Sequence, residues 1–450
     1  MVVQHNLRAM NSNRMLGITQ GSLNKSTEKL SSGYKVNRAA DDAAGLSISE
    51  KMRKQIRGLT QASLNAEDGI SAVQTAEGAL TEVHDMLQRM NELAVKAANG
   101  TNSTSDRQTI QDEVAQLLTE IDRVAETTKF NETYLLKGDY GTQTKYLTAH
   151  DAGIAGTMEQ GATTATFTMN ELSFGDTITI GGTEYHIGDS KTKQEGIIDK
   201  ATNGSQITID GINYTVNTTT SNADKFEFTK ADLKKKLSTT NQSVLSYNGK
   251  TYYGSGLTDK TVTTSTNAYT MIAKELGLAS TVGADEASQA TATKKTVANK
   301  KVKFSITKAT ATVGDALNFS LHVGSDSDMS NKIGIKIESL NAKGLGIQGI
   351  NVCDSTGAAA TYAIDAIGDA IAKVSAQRSL LGAVQNRLDH TINNLDNVVE
   401  NTTAAESQIR DTDMASEMVK YSNANILSQA GQSMLAQSNQ GNQGVLALIG

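Results

Sequence analysis

Apolar residues recur at heptad spacing at both ends of this chain, and that spacing is missing between them. Near the C-terminus, Ile364, Ile367, Ile371, Val374, Leu381, Leu388, Ile392, Leu395 and Val399 follow an alternating three-four spacing that only Arg378 and Gln385 interrupt. Near the N-terminus, Leu59, Ala66, Val73, Leu80, Leu87 and Ala94 recur every seven residues. Such a repeat draws one apolar stripe along a helix, and the stripe needs a partner helix to cover it. Neither end has a partner nearby in sequence. The first and last parts of the chain are therefore expected to pack against each other, with the middle looped out.

The same reading places the elements. Residues 1–33 read as a helix: Val3, Leu7 and Met10 open a seam, Leu16, Leu23 and Leu30 continue one, and Ser31-Ser32-Gly33 stops it. Residues 34–45 are small and polar and read as a connector. A helix from Leu46 to about Ala98 would be roughly 80 Å long at 1.5 Å per residue. Asn99-Gly100-Thr101-Asn102-Ser103 breaks it. Ser105 or Asp106 is expected to cap the next helix, whose stripe is Ile110, Val114, Leu117, Ile121 and Val124. From about 140 to 320 the chain is rich in Thr, Gly, Ser and Asn, with short alternating runs around 176–180, 206–210 and 302–306. Gly181-Gly182 and Asp210-Gly211 have the chemistry of hairpin turns. Residues 283–300 are expected to be flexible. Helical periodicity returns near Tyr362, breaks at Thr402-Thr403 and resumes through Met414, Met418 and Tyr421. The expected fold class is mainly α with a β-rich insertion.

Composition supports thin helical seams over a thick core. Of the 450 residues 38% are hydrophobic and only 4% aromatic, so large core-filling side chains are scarce. There is no Pro, which suits long uninterrupted helices. The net charge of -6 and the lack of a strongly basic region give no nucleic-acid footprint. The lysines around 293–303 read as a solvated strand or loop. A single cysteine, Cys353, rules out an intramolecular disulfide and reads as a small buried apolar residue. The six histidines are dispersed, and no metal-ligand spacing occurs. Asp41 with Asp42 and Asp411 with Asp413 are better explained by a connector and a helix start than by acid–base chemistry. Gly344-Leu-Gly-Ile-Gln-Gly349 lacks the βαβ context of a dinucleotide site. No enzyme activity, cofactor or metal is expected. No basic, apolar leader opens the chain, and no apolar run is long enough for membrane insertion. Composition alone reads as cytoplasmic.

Both ends carry longer signatures. Leu30-Ser-Ser-Gly-Tyr-Lys-Val-Asn-Arg-Ala-Ala-Asp-Asp-Ala-Ala-Gly-Leu-Ser-Ile-Ser49 and Ala66-Glu-Asp-Gly-Ile-Ser-Ala-Val-Gln-Thr-Ala-Glu-Gly-Ala-Leu80 resemble the N-terminal region of bacterial flagellins. Gln408-Ile-Arg-Asp-Thr-Asp-Met-Ala-Ser-Glu-Met-Val419 and Ile426-Leu-Ser-Gln-Ala-Gly-Gln-Ser-Met-Leu-Ala-Gln-Ser-Asn-Gln440 resemble the flagellin C-terminal region. The resemblance covers about the first 140 and last 130 residues. It implies a discontinuous coiled-coil stem from 1–45 and 406–450. It also implies a rod-like inner helical core from 46–140 and 316–405 with a C-terminal β-hairpin, and a variable β-rich outer domain at 141–315. One departure stands out: flagellins usually have a Pro where this chain has Gly441-Asn442-Gln443, and the tail ends Leu448-Ile449-Gly450.

The resemblance further implies an extracellular filament subunit that polymerises with itself, exported by the flagellar type III apparatus without a cleaved signal, which overrides the cytoplasmic reading. The implied partners are an export chaperone at 410–450, the filament cap, hook-associated proteins and Toll-like receptor 5. By resemblance the receptor would contact Arg89 and Leu93, with Gln88, Glu92 and Glu113 beside them. Arg89 and Leu93 are four apart and so are expected on one helix face. The expected polymerisation seam is Leu7, Met10, Leu16, Leu23, Leu30, Met414, Met418, Tyr421, Leu427 and Met434. The terminal segments are expected to be partly disordered before export and to order on assembly. The alternative is a hook–filament junction protein, which shares helical ends of this kind.

Overall fold

The computed structural model describes residues 6–298 and 300–449, with side chains placed for 6–295 and 300–440. Val3, Gly450 and the side chains of the Gly441-Asn442-Gln443 segment lie outside these. The chain opens with three helices, α1 (Leu7–Ser32), α2 (Ala43–Ala98) and α3 (Thr104–Thr127). A β-rich stretch follows, with β1 (Lys129–Phe130), β2 (Thr133–Tyr134), β3 (Asp139–Tyr146), β4 (Thr157–Gln160), β5 (Thr164–Asn170), β6 (Thr177–Ile180) and β7 (Thr183–Gly188). After α4 (Lys191–Lys200) come β8 (Gln206–Ile209), β9 (Ile212–Val216), β10 (Glu227–Phe228) and α5 (Lys230–Lys236). Next are β11 (Val244–Tyr247), β12 (Lys250–Tyr253), β13 (Val262–Thr264) and α6 (Ser265–Ala279). The stretch ends with β14 (Thr291–Ala298), β15 (Lys301–Thr307), β16 (Thr310–Asp315), β17 (Leu317–His322), β18 (Lys332–Ile337) and α7 (Ala342–Leu345). Two helices close the chain, α8 (Ala358–Arg410) and α9 (Met414–Ile449). Long helices from both ends around a central β-rich stretch match the expected fold class.

The chain divides into two compact units. A terminal unit comprises Met1–Ile70, Ser320–Gly334 and Gln385–Gly450, and a central unit comprises Ser71–Phe319 and Ile335–Val384.

In the terminal unit α1 and α9 run antiparallel. Asn6 Nδ2 donates to the Ser438 carbonyl at 3.3 Å, and Ser26 Oγ donates to Glu417 Oε1 at 2.6 Å. The residues turned inward alternate three and four apart on both helices. On α1 they run Ala9, Ser12, Leu16, Thr19, Leu23, Ser26 and Leu30. On α9 they run Glu417, Tyr421, Ala424, Ser428, Gly431, Leu435 and Ser438. Small residues between the leucines let the backbones approach, and a Cβ on Gly431 would sit 3.3 Å from Leu16 Cδ1. Asn6 caps α1, and Gly33 ends it at φ 77, a left-handed conformation that suits glycine.

The C-terminal helices break at Asp411–Asp413, not at Thr402-Thr403, which stay helical. The cause is a cap. Asp413 Oδ1 accepts from Ala415 N and Ser416 N at 3.0 and 3.2 Å, which starts α9. The connector after α1 docks on this junction. Lys35 N donates to the Arg410 carbonyl at 2.6 Å, Thr412 N donates to the Gly33 carbonyl at 3.0 Å, and the Arg410 guanidinium lies 4.9 Å from the Tyr34 ring centroid. Also in this unit, Leu59 and Ala62 of α2 are buried with Leu395 of α8, against Val398 and Val399.

In the central unit the α2 stripe is Val73, Ala76, Leu80, Val83, Leu87, Met90, Ala94 and Ala97, all buried. The deepest column on α8 is Ala360, Ala363, Ile367, Ala370, Val374, Gln377 and Leu381. Ile364, Ile371 and Arg378 are only half-buried, one position off the column expected from the isoleucines. The alanines seat α8 closely, which sequence spacing of large residues alone does not reveal. Ser103, and not Ser105 or Asp106, caps α3: its side chain accepts from Asp106 N while the Asp106 carboxylate receives the Ser103 N–H, a capping box.

Among its described residues the β-rich stretch shows two cores. In one, the antiparallel sheet β14-β15-β5-β4 packs Phe167, Phe304 and Ile306 with Tyr269, Ile272 and Leu276 of α6. In the other, Ile198 of α4 and Leu233 of α5 cover Ile207, Tyr214 and Leu245 of β8, β9 and β11. Gly181-Gly182 and Asp210-Gly211 turn their hairpins at positive φ, as expected. Residues 291–298, expected to be flexible, form β14, paired along its length with β15. Cys353 is half-buried and not a core residue.

Candidate assembly and recognition surfaces

The ten expected seam residues divide into two groups. Leu16, Leu23, Leu30 and Tyr421 are half-buried and join α1 to α9 within the chain. Leu7, Met10, Met414, Met418, Leu427 and Met434 turn outward, with 48–69% of their surface exposed. Met15, Ile18, Val419 and Ile426 share that exposure and were missed by the sequence reading. The signal was available: a second apolar set beside the inner stripe gives these helices two faces. Among the described residues of α1 and α9, only Ser26, Glu417, Ala424 and Ser428 are fully buried. More large apolar side chains of this pair face outward than inward. A soluble chain rarely leaves such a patch uncovered without a use for it.

One buried charge lies in the seam. Glu417 is 6% exposed and accepts from Ser26 Oγ at 2.6 Å and Lys420 Nζ at 3.1 Å. The Ser26 hydroxyl, ahead of Lys420 and Lys29, holds its carboxyl below the ordinary value. Sequence inspection did not single it out.

In the central unit, Gln88, Arg89 and Glu92 of α2 and Glu113 of α3 lie exposed. Arg89 is already engaged: Nε and Nη2 reach Glu113 Oε1 at 3.0 and 2.9 Å, and Nη1 reaches Glu92 Oε2 at 3.1 Å. These carboxylates, Glu113 first, raise the affinity of the guanidinium for its proton. Leu93 departs from expectation. It is buried at 2%, like its neighbours Met90 and Ala94, so it shares no surface with Arg89. Four residues advance a helix by more than one full turn, and here that offset carries Leu93 from the rim into the packed stripe.

Arg107, at 3% exposure, was also missed. Its Nε donates to the Ala97 carbonyl at 2.8 Å, Nη1 to the Asp354 carbonyl at 2.9 Å and Nη2 to the Asn99 carbonyl at 3.2 Å. It thereby satisfies carbonyls at the end of α2 and ties them to the segment entering α8.

The cavities hold no paired nucleophile and base among the described residues. One, of about 610 Å³, lies between α6, the β6–β7 hairpin and the start of α8. Its polar centre is the Tyr362 hydroxyl donating to Glu275 Oε2 at 2.6 Å, and burial pushes that phenol's pKa up. A phenol made harder to ionise beside a carboxylate is a structural pair and not a nucleophile with its base. Among the described residues no group of three or more His, Cys, Asp or Glu could hold a metal. No described helix is long and apolar enough to cross a membrane.

Residues 3–140 match the bacterial flagellin N-terminal helical region, and residues 364–449 match the bacterial flagellin C-terminal helical region. A flagellin of Clostridium tyrobutyricum is 39% identical, the match covering 98% of this chain and 100% of that protein. The flagellin of Bacillus subtilis strain 168 is 34% identical, with 100% of each chain covered. Among solved structures, a flagellar hook associated protein-3 from Legionella pneumophila overlays 80% of this chain and 98% of its own. That overlay has 14% identity and a TM-score of 0.36, too loose to carry an argument.

Proposed function

The chain belongs to the bacterial flagellin family, whose members are structural subunits of the flagellar filament, and we propose that it polymerises through the outward faces of α1 and α9. The observation that carries this reading is the exposed set Leu7, Met10, Met414, Met418, Leu427 and Met434 on a helix pair with few buried residues of its own. A contact that repeats without closing extends into a helical polymer. The weakly buried pair belongs to the low-stability end of the fold and gains order when neighbouring subunits cover it. Residues 1–45 with 406–450 act as the stem, 46–140 with 316–405 as the inner core, and 141–315 as the outer domain. The filament is extracellular and serves motility.

Export proceeds through the flagellar type III apparatus. A chaperone covers 410–450 before export, and the exposed methionines of α9 suit an adaptable apolar contact. The filament cap and hook-associated proteins meet the same terminal faces. Toll-like receptor 5 reads the free monomer at Arg89, with Gln88, Glu92 and Glu113 around it, and Leu93 supports that site from below by packing. Removing residues 1–40 or 411–450 tests the assembly reading. The expected product is a soluble chain that forms no filaments by negative-stain microscopy, and normal filaments from either truncation would overturn it.

A further inference from the structure

The four-stranded sheet β14-β15-β5-β4 has one face in the core and one face free. Inward, Val302, Phe304 and Ile306 of β15 alternate with outward residues, as do Ala165, Phe167 and Met169 of β5. The outward residues line up in cross-strand rows. Thr291, Thr307 and Thr164 form one row, and Thr293, Ser305, Thr166 and Glu159 form the next. Lys295, Lys303, Thr168 and Thr157 form a third, and Lys301 stands opposite Asn170 beyond it.

Two properties of this face call for a partner. Lys295 and Lys303 are directly opposed on antiparallel strands. Like charges in that position destabilise a sheet. Lys301 adds a third positive charge, and none of the three has an ion-pair partner among the described residues. The only acidic side chain in the rows is Glu159, on the far strand β4. A chain of net charge -6 thus keeps three uncompensated lysines together on a hydroxyl-lined face, beside the register shift between Lys295 and Val297.

We propose that this face binds a linear anionic polysaccharide. The lysines match its sulfate or carboxylate groups, and the rows of Thr and Ser hydroxyls match its sugar hydroxyls as donors and acceptors. Other polyanions fit less well. The rows carry no aromatic side chain on which a nucleobase could stack. They carry no apolar side chain to enter a lipid surface.

Heparin, used as a probe with the full-length monomer, tests this. In low salt the wild type binds heparin and not neutral dextran. The triple variant Lys295→Gln, Lys301→Gln, Lys303→Gln binds at least tenfold more weakly and shows a shallower salt dependence, because fewer counterions are released. A matched variant, Lys51→Gln, Lys54→Gln, Lys96→Gln, removes the same charge from exposed positions on α2 and leaves heparin affinity unchanged. Circular dichroism confirms that each variant keeps its fold. Equal loss in both triple variants would overturn the proposal, because net charge alone would then explain binding. Unchanged affinity in the sheet variant would overturn it too. So would tighter binding to double-stranded DNA or to vesicles containing phosphatidylserine than to heparin.

Discussion

Truncating two side chains on the outer face of α9 should raise the critical concentration for polymerisation about a hundredfold. Leu427 and Met434 are seven residues apart on one stripe and are 61% and 63% exposed. Each buried CH₂ is worth about 0.8 kcal/mol, so Leu→Ala removes about 2.4 kcal/mol of full burial. About three-fifths of that surface is still available to a neighbour, which leaves ~1.5 kcal/mol per residue. Each 1.4 kcal/mol is tenfold in an association constant. Leu427→Ala alone should therefore raise the critical concentration about tenfold, and adding Met434→Ala about tenfold again if the two sites act independently. The monomer itself should be unharmed, since both residues are exposed and Ala favours helix. The assay is sedimentation of seeded polymer across a concentration series, with helix content checked by circular dichroism. A double variant within twofold of wild type would refute the claim that this face is the assembly surface.

Three further outcomes follow from single contacts. Glu417 has a folded pKa below its ordinary value, so its contribution to the α1–α9 pair is present above about pH 4.3 and lost as pH falls through the folded value; Glu417→Gln, read by hydrogen exchange of α1 and α9 amides, should flatten that acid dependence, and an unchanged profile contradicts the assignment. Arg107→Met should destabilise the central unit by about 2–4 kcal/mol, because three backbone carbonyls lose a charged donor in a buried site; a urea midpoint equivalent to under ~0.5 kcal/mol of change would show that water replaces it. Arg89→Ala should weaken monomer binding to Toll-like receptor 5 about thirtyfold, or ~2 kcal/mol, in a surface-plasmon assay, whereas Leu93→Ala should act mainly by lowering stability, since Leu93 is buried; equal affinity of wild type and Arg89→Ala would remove Arg89 from the contact.

The helical ends were legible because a heptad stripe is a local, repeated signal. Leu59 to Ala94 named the inner face of α2 correctly, and Leu16, Leu23 and Leu30 named the inner face of α1. What escaped was carried by small or polar residues. Ala363, Ala370 and Gln377 set the true inner column of α8, yet the larger Ile364 and Ile371 dominate any hydrophobicity reading. Thr402-Thr403 read as a break, but threonine lowers helix propensity only slightly, and the real break depends on the Asp413 cap. Leu93 passed for a surface residue by resemblance, and its spacing from Arg89 could not correct this, because spacing fixes an angle on the helix and not which side the neighbouring helices cover. Arg107 and Glu417 were invisible for a related reason. A charge in sequence reads as solvent-facing until folding supplies its partners, the nearby Ala97 and Asn99 carbonyls with the distant Asp354 for Arg107, and the distant Ser26 for Glu417. The free face of the β14-β15-β5-β4 sheet needed strand order and register, which periodicity does not supply.

Methionine oxidation tests the central claim most directly, because the proposed assembly face carries its own probes. Met10, Met15, Met414, Met418 and Met434 are all about half or more exposed in the single chain. Full-length monomer and intact filaments are exposed to the same dose of hydrogen peroxide, and sulfoxide formation is read at each methionine by mass spectrometry. The account predicts rapid oxidation of these five in the monomer and at least tenfold protection in the filament, while Met158 in the β-rich stretch keeps the same rate in both. Equal oxidation of the five in monomer and intact filament would contradict it, because the outward faces of α1 and α9 would then remain open to solvent after assembly.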